Sequence, residues 1–375
     1  MALRKIKLGN YISLCDEKNT DEKYSLEYVK GISTQKYFIE TKANMDGVPL
    51  KGYKIVRPGC FAYVPDTSRR GDKISLAYND TDKPILVSSI SIVFKVANKE
   101  LSSMYLFMYF NRPEFDRYSR YNSFGSAREP FNWEDMCDIE IELPDLPTQE
   151  KFVKVYLSML ENQKAYERGL EDLKLVMNSY FDKIKTSDQD LISNYIEFSS
   201  DKNYDLSVSF AQLRGINELG EFTSTRDSIG SDDIDKYLII KDKTFAVNFM
   251  CLGNFGKFYL AYNDFGEDYL VSPACNCFKI KNVKLNPYYL LFVLKRSEFQ
   301  RRCVVLGDGN TRGGINITDF SSISIPIASV EQQIIISDLY NSYENRRKIN
   351  EKLKEQIKDI CPILIKGSIE EAKEA

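Results

Sequence analysis

Apolar positions along this chain follow two rhythms, and the change from one to the other happens twice. In the first stretch of each half, short apolar, aromatic and β-branched runs such as 90–96, 245–250 and 271–280 predict strands, separated by Gly-, Asn- and Asp-rich turns. One helix is predicted inside each stretch, at 102–110 and at 286–294. In the second stretch the spacing changes to alternating fours and threes. Phe152, Tyr156, Met159, Gln163, Tyr166, Leu170, Leu173, Met177, Tyr180 and Ile184 form a seam sustained over more than four heptads. The later seam runs through Ile336, Leu339, Tyr343, Arg346, Asn350, Leu353, Ile357, Ile360 and Leu364, and its polar members at 346 and 350 suggest control of register. Pro144, Pro147 and Pro326 stand just ahead of these helices, where proline stiffens the approach without breaking the helix. A helix of roughly 35 residues is about 50 Å long. Seams this long and narrow suit two helices paired antiparallel, a rod holding two globular heads apart. Phe152, Met159, Tyr166 and Leu173 are expected to meet Leu339, Tyr343, Leu353 and Ile360 there.

The two halves are copies at a constant offset of 184 residues. Asn10-Tyr11-Ile12 recurs as Asn194-Tyr195-Ile196, and Leu76-Ala77-Tyr78-Asn79-Asp80 as Leu260-Ala261-Tyr262-Asn263-Asp264. Glu114-Phe115 recurs as Glu298-Phe299, while Gly125 and Arg128 recur as Gly309 and Arg312. Short solenoid repeats have periods of tens of residues, so this is a duplicated domain. Two similar surfaces imply a bivalent binder.

Composition narrows the chemistry more than it identifies it. A chain of 375 residues has room for two cores, and 43% apolar with 28% charged residues is ordinary for a soluble protein. No apolar run is long enough to span a membrane, and Met1-Ala2-Leu3-Arg4-Lys5 does not begin a signal peptide. A net charge of −3 requires any nucleic-acid surface to gather its basic residues on one face. None of the 8 cysteines recurs at the offset, so they read as free thiols of a reducing cytoplasm. With no histidine there are no His-based triads or His-ligated metals, and no metal is expected.

Among candidate sites, Asn286-Pro287-Tyr288-Tyr289 approaches the string with which adenine-N6 methyltransferases grip a flipped base. The second proline of that string is absent, as is a glycine motif for S-adenosylmethionine, and the counterpart of Asn286-Pro287 is Ser102-Ser103. Both strings read as helix starts, with an N-cap followed by a good N1 residue. The repeated carboxylates Asp80/Asp264 and Asp135/Asp319 read as turn or cap residues.

Basic residues are the better candidates. Arg69, Arg70 and Lys73 precede a strand, and Arg112, Arg117, Arg120 and Arg128 follow the first short helix. Lys257, Arg296, Arg301, Arg302 and Arg312 fall in the same regions of the second half. Arginine reads guanine bidentately, and both cations neutralise phosphates. Positions kept between halves (Lys73/Lys257, Arg117/Arg301, Arg128/Arg312) suit phosphate anchoring. Positions that differ suit base reading: Arg69-Arg70 against Gly253-Asn254, and Arg120 against Val304.

The tandem arrangement of head and long helix, the junctions IELPDLPTQEKF and SIPIASVEQQII, and the loops Gly125/Arg128/Asn132 and Gly309/Arg312/Asn316 together resemble the specificity subunits of type I restriction–modification enzymes. The second junction has one proline where that family often has several. The resemblance covers essentially the whole chain. It implies α/β (α+β) target-recognition domains at 1–147 and 187–328, long helices at 148–186 and 329–368 forming an antiparallel coiled coil, and a tail at 369–375. Each domain would read one half of a bipartite, asymmetric DNA target in the major groove. The helices would set the spacing and dock two adenine-N6 methyltransferase (M) subunits, to which a motor–nuclease (R) subunit can be added. S-adenosylmethionine would sit on the M subunits, and this chain would have no catalysis or cofactor of its own. Two rival readings stay open from the sequence: a coiled-coil adaptor with two protein-binding heads, favoured by the near-neutral charge, and a degenerate DNA methyltransferase.

Overall fold

The structure, a computed structural model, describes residues 3–41, 43–66, 73–123, 130–184, 188–224, 231–250, 256–307 and 314–374. The chain divides into two compact units. One comprises Met1–Ala165 with Asn350–Ala375, and the other Tyr166–Ile349.

In the first unit a four-stranded antiparallel sheet has the order Ile12–Leu14, Ile92–Val96, Cys60–Tyr63, Leu76–Tyr78. The second unit repeats that order with Ile196–Ser199, Asn276–Ile280, Thr244–Asn248 and Tyr259–Tyr262. Both carry a hairpin, Lys30–Ile32 with Phe38–Glu40 and Arg214–Ile216 with Phe222–Ser224. Each core is built on a stacked phenylalanine pair at equivalent positions. Phe61 and Phe94 lie 4.9 Å apart at 10°, and Phe245 and Phe278 lie 4.9 Å apart at 4°.

The helices of the first unit are α1 (Ser103–Phe110), α2 (Pro113–Tyr121) and α3 (Trp133–Cys137). The long α4 (Leu146–Ile184) follows. In the second half come α5 (Pro287–Lys295), α6 (Ser297–Gly307), α7 (Ile317–Ser321), α8 (Val330–Lys358) and α9 (Ile360–Glu374). The interruption at Asp359 has a local cause. Pro362 has no N–H to give, and its ring would meet the carbonyl of Lys358 in an unbroken helix.

The run 271–280 is not one strand, as its apolar character predicted. Tyr269–Val271 and Asn276–Ile280 belong to different sheets, joined by a turn in which Cys275 N–H donates to the Ser272 carbonyl (2.9 Å). Pro273 has no N–H for a ladder, and the Ser272 hydroxyl accepts instead from Ala274 N–H (3.2 Å).

A column at strict heptad spacing along α4, namely Gln149, Tyr156, Gln163, Leu170, Met177 and Ile184, is buried. In the first unit Tyr156 packs with Cys361 and Leu364, and Gln163 Nε2 donates to Asn350 Oδ1 across the seam (3.1 Å). In the second unit Met177, Phe181 and Ile184 share a core with Ile336 and Tyr340. Within each unit the helix segments run antiparallel. Phe152, Met159, Tyr166, Leu173, Leu339, Tyr343, Leu353 and Ile360 are half-buried on the flanks of these contacts.

Each long helix is latched to its head by a buried glutamine in its first turn. Gln149 Nε2 donates to the Glu100 and Pro144 carbonyls (2.8 Å each), and its Oε1 accepts from Ser102 N–H (2.9 Å). Gln333 Nε2 donates to the Lys284 (3.0 Å) and Ala328 (2.9 Å) carbonyls, and its Oε1 accepts from Asn286 N–H (2.8 Å). The latch ties the helix to the residue that caps α1 or α5. These are the glutamines of the two junction strings.

Candidate nucleic-acid interface

In the first unit a cavity of about 1040 Å³ opens between the hairpin, the α1–α2 corner and the helix segments 156–164 and 354–361. Its basic lining includes Lys30, Lys36, Lys73, Arg117, Lys164 and Lys358, against Glu40, Asp80, Asp116 and Asp359. The structure thus brings together Lys73 and Arg117, which lie far apart in sequence. Both side chains are exposed, and Arg117 also pairs with Glu114 (3.1 Å) on its own helix. Arg120 is exposed on the last turn of α2.

What holds this corner is a buried ion pair that the sequence reading did not single out. Lys36, at the hairpin tip and only 5% exposed, donates from Nζ to Asp116 Oδ1 (2.6 Å) and to the Ile74 carbonyl (2.8 Å). Asp116 Oδ1 also accepts from Ile74 N–H (3.2 Å). Burial pulls the Lys36 ammonium below its ordinary pKa, and the Asp116 charge pulls it back up. Asp116 and Ile74 are the sequence neighbours of Arg117 and Lys73, so the pair fixes the backbone from which both cations project. One signal was present in the sequence. Lys36 stands opposite Gly220 in the repeat, between the kept positions Gly31-Ile32/Gly215-Ile216 and Phe38/Phe222.

The second unit solves the same corner without the ion pair. Gln300 replaces Asp116; its Oε1 accepts from Phe258 N–H (2.9 Å) and its Nε2 donates to the Leu294 carbonyl (2.7 Å). Lys257 pairs with Glu218 (3.3 Å), Arg301 is exposed, and Arg302 pairs with Glu298 (3.6 Å). Arg302 and Arg296 line a cavity of about 390 Å³ floored by Phe181, Val293 and Phe299. Arg69, Arg70, Arg128 and Arg312 lie outside the described residues.

Two other candidates have packing roles. Arg112 lies over the Tyr109 ring (3.8 Å to the centroid). Its counterpart Arg296 lies over Phe181 (4.2 Å) and donates to Asn178 Oδ1 (2.7 Å). The carboxylates and the asparagine string act as caps and turn partners. Asn286 Oδ1 accepts from Tyr288 N–H (2.9 Å) and Tyr289 N–H (3.3 Å), starting α5, while Ser102 caps α1. Asp135 accepts from Asn132 N–H (3.1 Å), and Asp319 N–H donates to Asn316 Oδ1 (2.8 Å). Asp264 is held by Lys243 and the Tyr288 hydroxyl.

Residues 216–359 match the Type I restriction modification DNA specificity domain. The chain is 22% identical over 369 residues to the type I restriction enzyme MjaVIII specificity subunit of Methanocaldococcus jannaschii, covering 88% of this chain and 85% of that one. Residues 216–359 thus carry a match to that domain, and most of the chain is similar to a type I specificity subunit. The fold of a specificity subunit agrees: a type I restriction–modification S subunit from M. genitalium superposes with a TM-score of 0.62 at 11% identity, covering 98% of this chain and 96% of that one. Asn286, the start of the methyltransferase-like string, is a helix cap here. Among the described residues no helix is long and apolar enough to cross a membrane.

Proposed function

We propose that this chain is the specificity subunit of a type I restriction–modification enzyme and reads a bipartite, asymmetric DNA target, with residues 1–147 and 187–328 each recognising one half-site. The observation that carries the reading is the repeated head: one sheet order at an offset of 184 residues, with different side chains at the α2 and α6 corners. Equal scaffolds with unequal rims suit two half-sites of different sequence. Residues 148–186 and 329–368 set the gap and dock two adenine-N6 methyltransferase subunits, which carry the S-adenosylmethionine. A motor–nuclease subunit completes the assembly where restriction occurs. Two heads on one frame also raise the effective concentration at the second half-site.

Single-molecule sequencing of host DNA, with the gene intact and deleted, tests this directly. The expected result is loss of N6-methyladenine at one asymmetric, gapped motif. Unchanged methylation, together with no co-purifying methyltransferase, would sink the reading and favour the protein-binding adaptor that the near-neutral net charge of −3 allows. Within the assembled complex, Arg128→Ala should weaken all sequences about equally and flatten the salt dependence, as a lost phosphate contact does. Arg70→Ala should instead relax preference at individual base pairs, by about 1–3 kcal/mol each. Filter-binding on a panel of single-base variants at several salt concentrations separates the two, and the reverse pattern would discard the assignment.

A further inference from the structure

The hairpins of the two halves are fastened to different elements. In the first unit the hairpin is tied to its own head, through Lys36 and Asp116 of α2. In the second unit it is tied to the long helix α8. Arg347 Nη2 donates to Glu221 Oε1 on the hairpin (2.6 Å) and to Glu344 Oε2 on its own helix (2.8 Å). Lys295, at the end of α5, donates from Nζ to the Leu219 carbonyl of the hairpin (2.9 Å) and to the Tyr340 hydroxyl of α8 (3.0 Å). The hairpin, the end of α5 and α8 are thereby joined in one polar cluster.

Gly220 makes room for that lysine. A Cβ there would stand 2.6 Å from Lys295 Nζ and 2.3 Å from the Leu260 carbonyl, and the backbone has φ +76°. The first unit has none of these parts. The counterparts of Gly220, Glu221, Lys295 and Arg347 are Lys36, Tyr37, Asn111 and Gln163. Asn111 donates to its own helix at Phe107 (2.8 Å), and Gln163 faces Asn350 in the seam. Four differences scattered along the chain therefore meet at one contact. The Arg347 guanidinium is largely shielded (13% side-chain exposure) and donates from both Nε and Nη2, so it is a built joint and not a loose surface pair.

We propose that Arg347, Glu221 and Lys295 are positioning residues that lock the second recognition domain to the long helix and so hold its half-site at a fixed distance from the spacer. This rests on the bipartite reading proposed above. One base pair more or less in the gap displaces a half-site by about 3.4 Å and about 35° around the duplex, a change a locked joint resists. In the first domain the counterparts of these residues are Tyr37, Asn111 and Gln163, which cannot form this ion pair.

The test uses the complete complex with its methyltransferase subunits, on duplexes carrying the mapped target with the native gap or one base pair added or removed. The wild-type complex is expected to favour the native gap. In Arg347→Gln and, separately, Glu221→Gln, that preference should fall by about tenfold while base preference within each half-site stays within about twofold. Arg347→Lys should retain part of the preference. An unchanged gap preference in both glutamine variants would overturn the proposal. So would loss of gap and base preference together with a lowered melting temperature, which would mark a merely structural pair. A wild-type complex that methylates no gapped duplex would instead overturn the bipartite reading itself, and the proposal with it.

Discussion

Asp116→Ala should destabilise the first unit by about 3–5 kcal/mol, the usual consequence of removing one member of a buried ion pair. The variant strands the Lys36 ammonium, which is 5% exposed, and also leaves Ile74 N–H without its acceptor. Most of the penalty is the uncompensated charge and not the lost attraction. The double variant Lys36→Met with Asp116→Asn should therefore recover most of the stability, since it removes the charge and keeps an acceptor for Ile74. Urea unfolding of the single and double variants measures both. A single-variant loss under about 1 kcal/mol would mean that Lys36 escapes to solvent, and would place the pair with ordinary surface bridges. Because the pair anchors the neighbours of Lys73 and Arg117, Asp116→Ala should also lower DNA affinity in filter binding if those two cations make the contacts proposed above.

Phe278→Ala should cost the second unit about 3–5 kcal/mol. Phe278 is fully buried, stacks on Phe245 at 4.9 Å and meets Phe198 (5.5 Å) and Phe320 (6.4 Å), so its removal opens a void that these three neighbours would have to close. The first unit has its own pair, Phe61 and Phe94, in a separate core. Amide exchange should accordingly speed up in Thr244–Asn248 and Asn276–Ile280 while Cys60–Tyr63 and Ile92–Val96 keep their protection. Equal loss in both sheets would show that the two units unfold together.

Much of this architecture was legible because it is written in local spacing. The heptad column of α4 is visible as a period of seven, and the caps at Ser102 and Asn286 as single residues before helical runs. The reading of 271–280 as one strand failed on a local signal that was present, since Pro273 forbids a ladder there. The seam residues chosen were the half-buried flanks as well as the buried column, because a spacing of three and four does not say which of its two positions faces the partner more squarely.

The sequence by itself determined the duplication, the two rhythms of strand and long helix, the capped helix starts and the glutamines at the junctions. Each of these depends on residues a few positions apart, or on a copy at a constant offset. Only the tertiary structure decided which polar residues are joined. Lys36 meets Asp116 across 80 positions, and Arg347 meets Glu221 across 126. A charge 80 positions from its partner leaves no periodic trace, and a glycine such as Gly220 shows its purpose only when the lysine it admits is in place. The sites where the halves differ in their polar joints are of this second kind. Burial makes an unpaired charge too costly to keep, so a change at one position of a joint is matched at the others, wherever the chain places them.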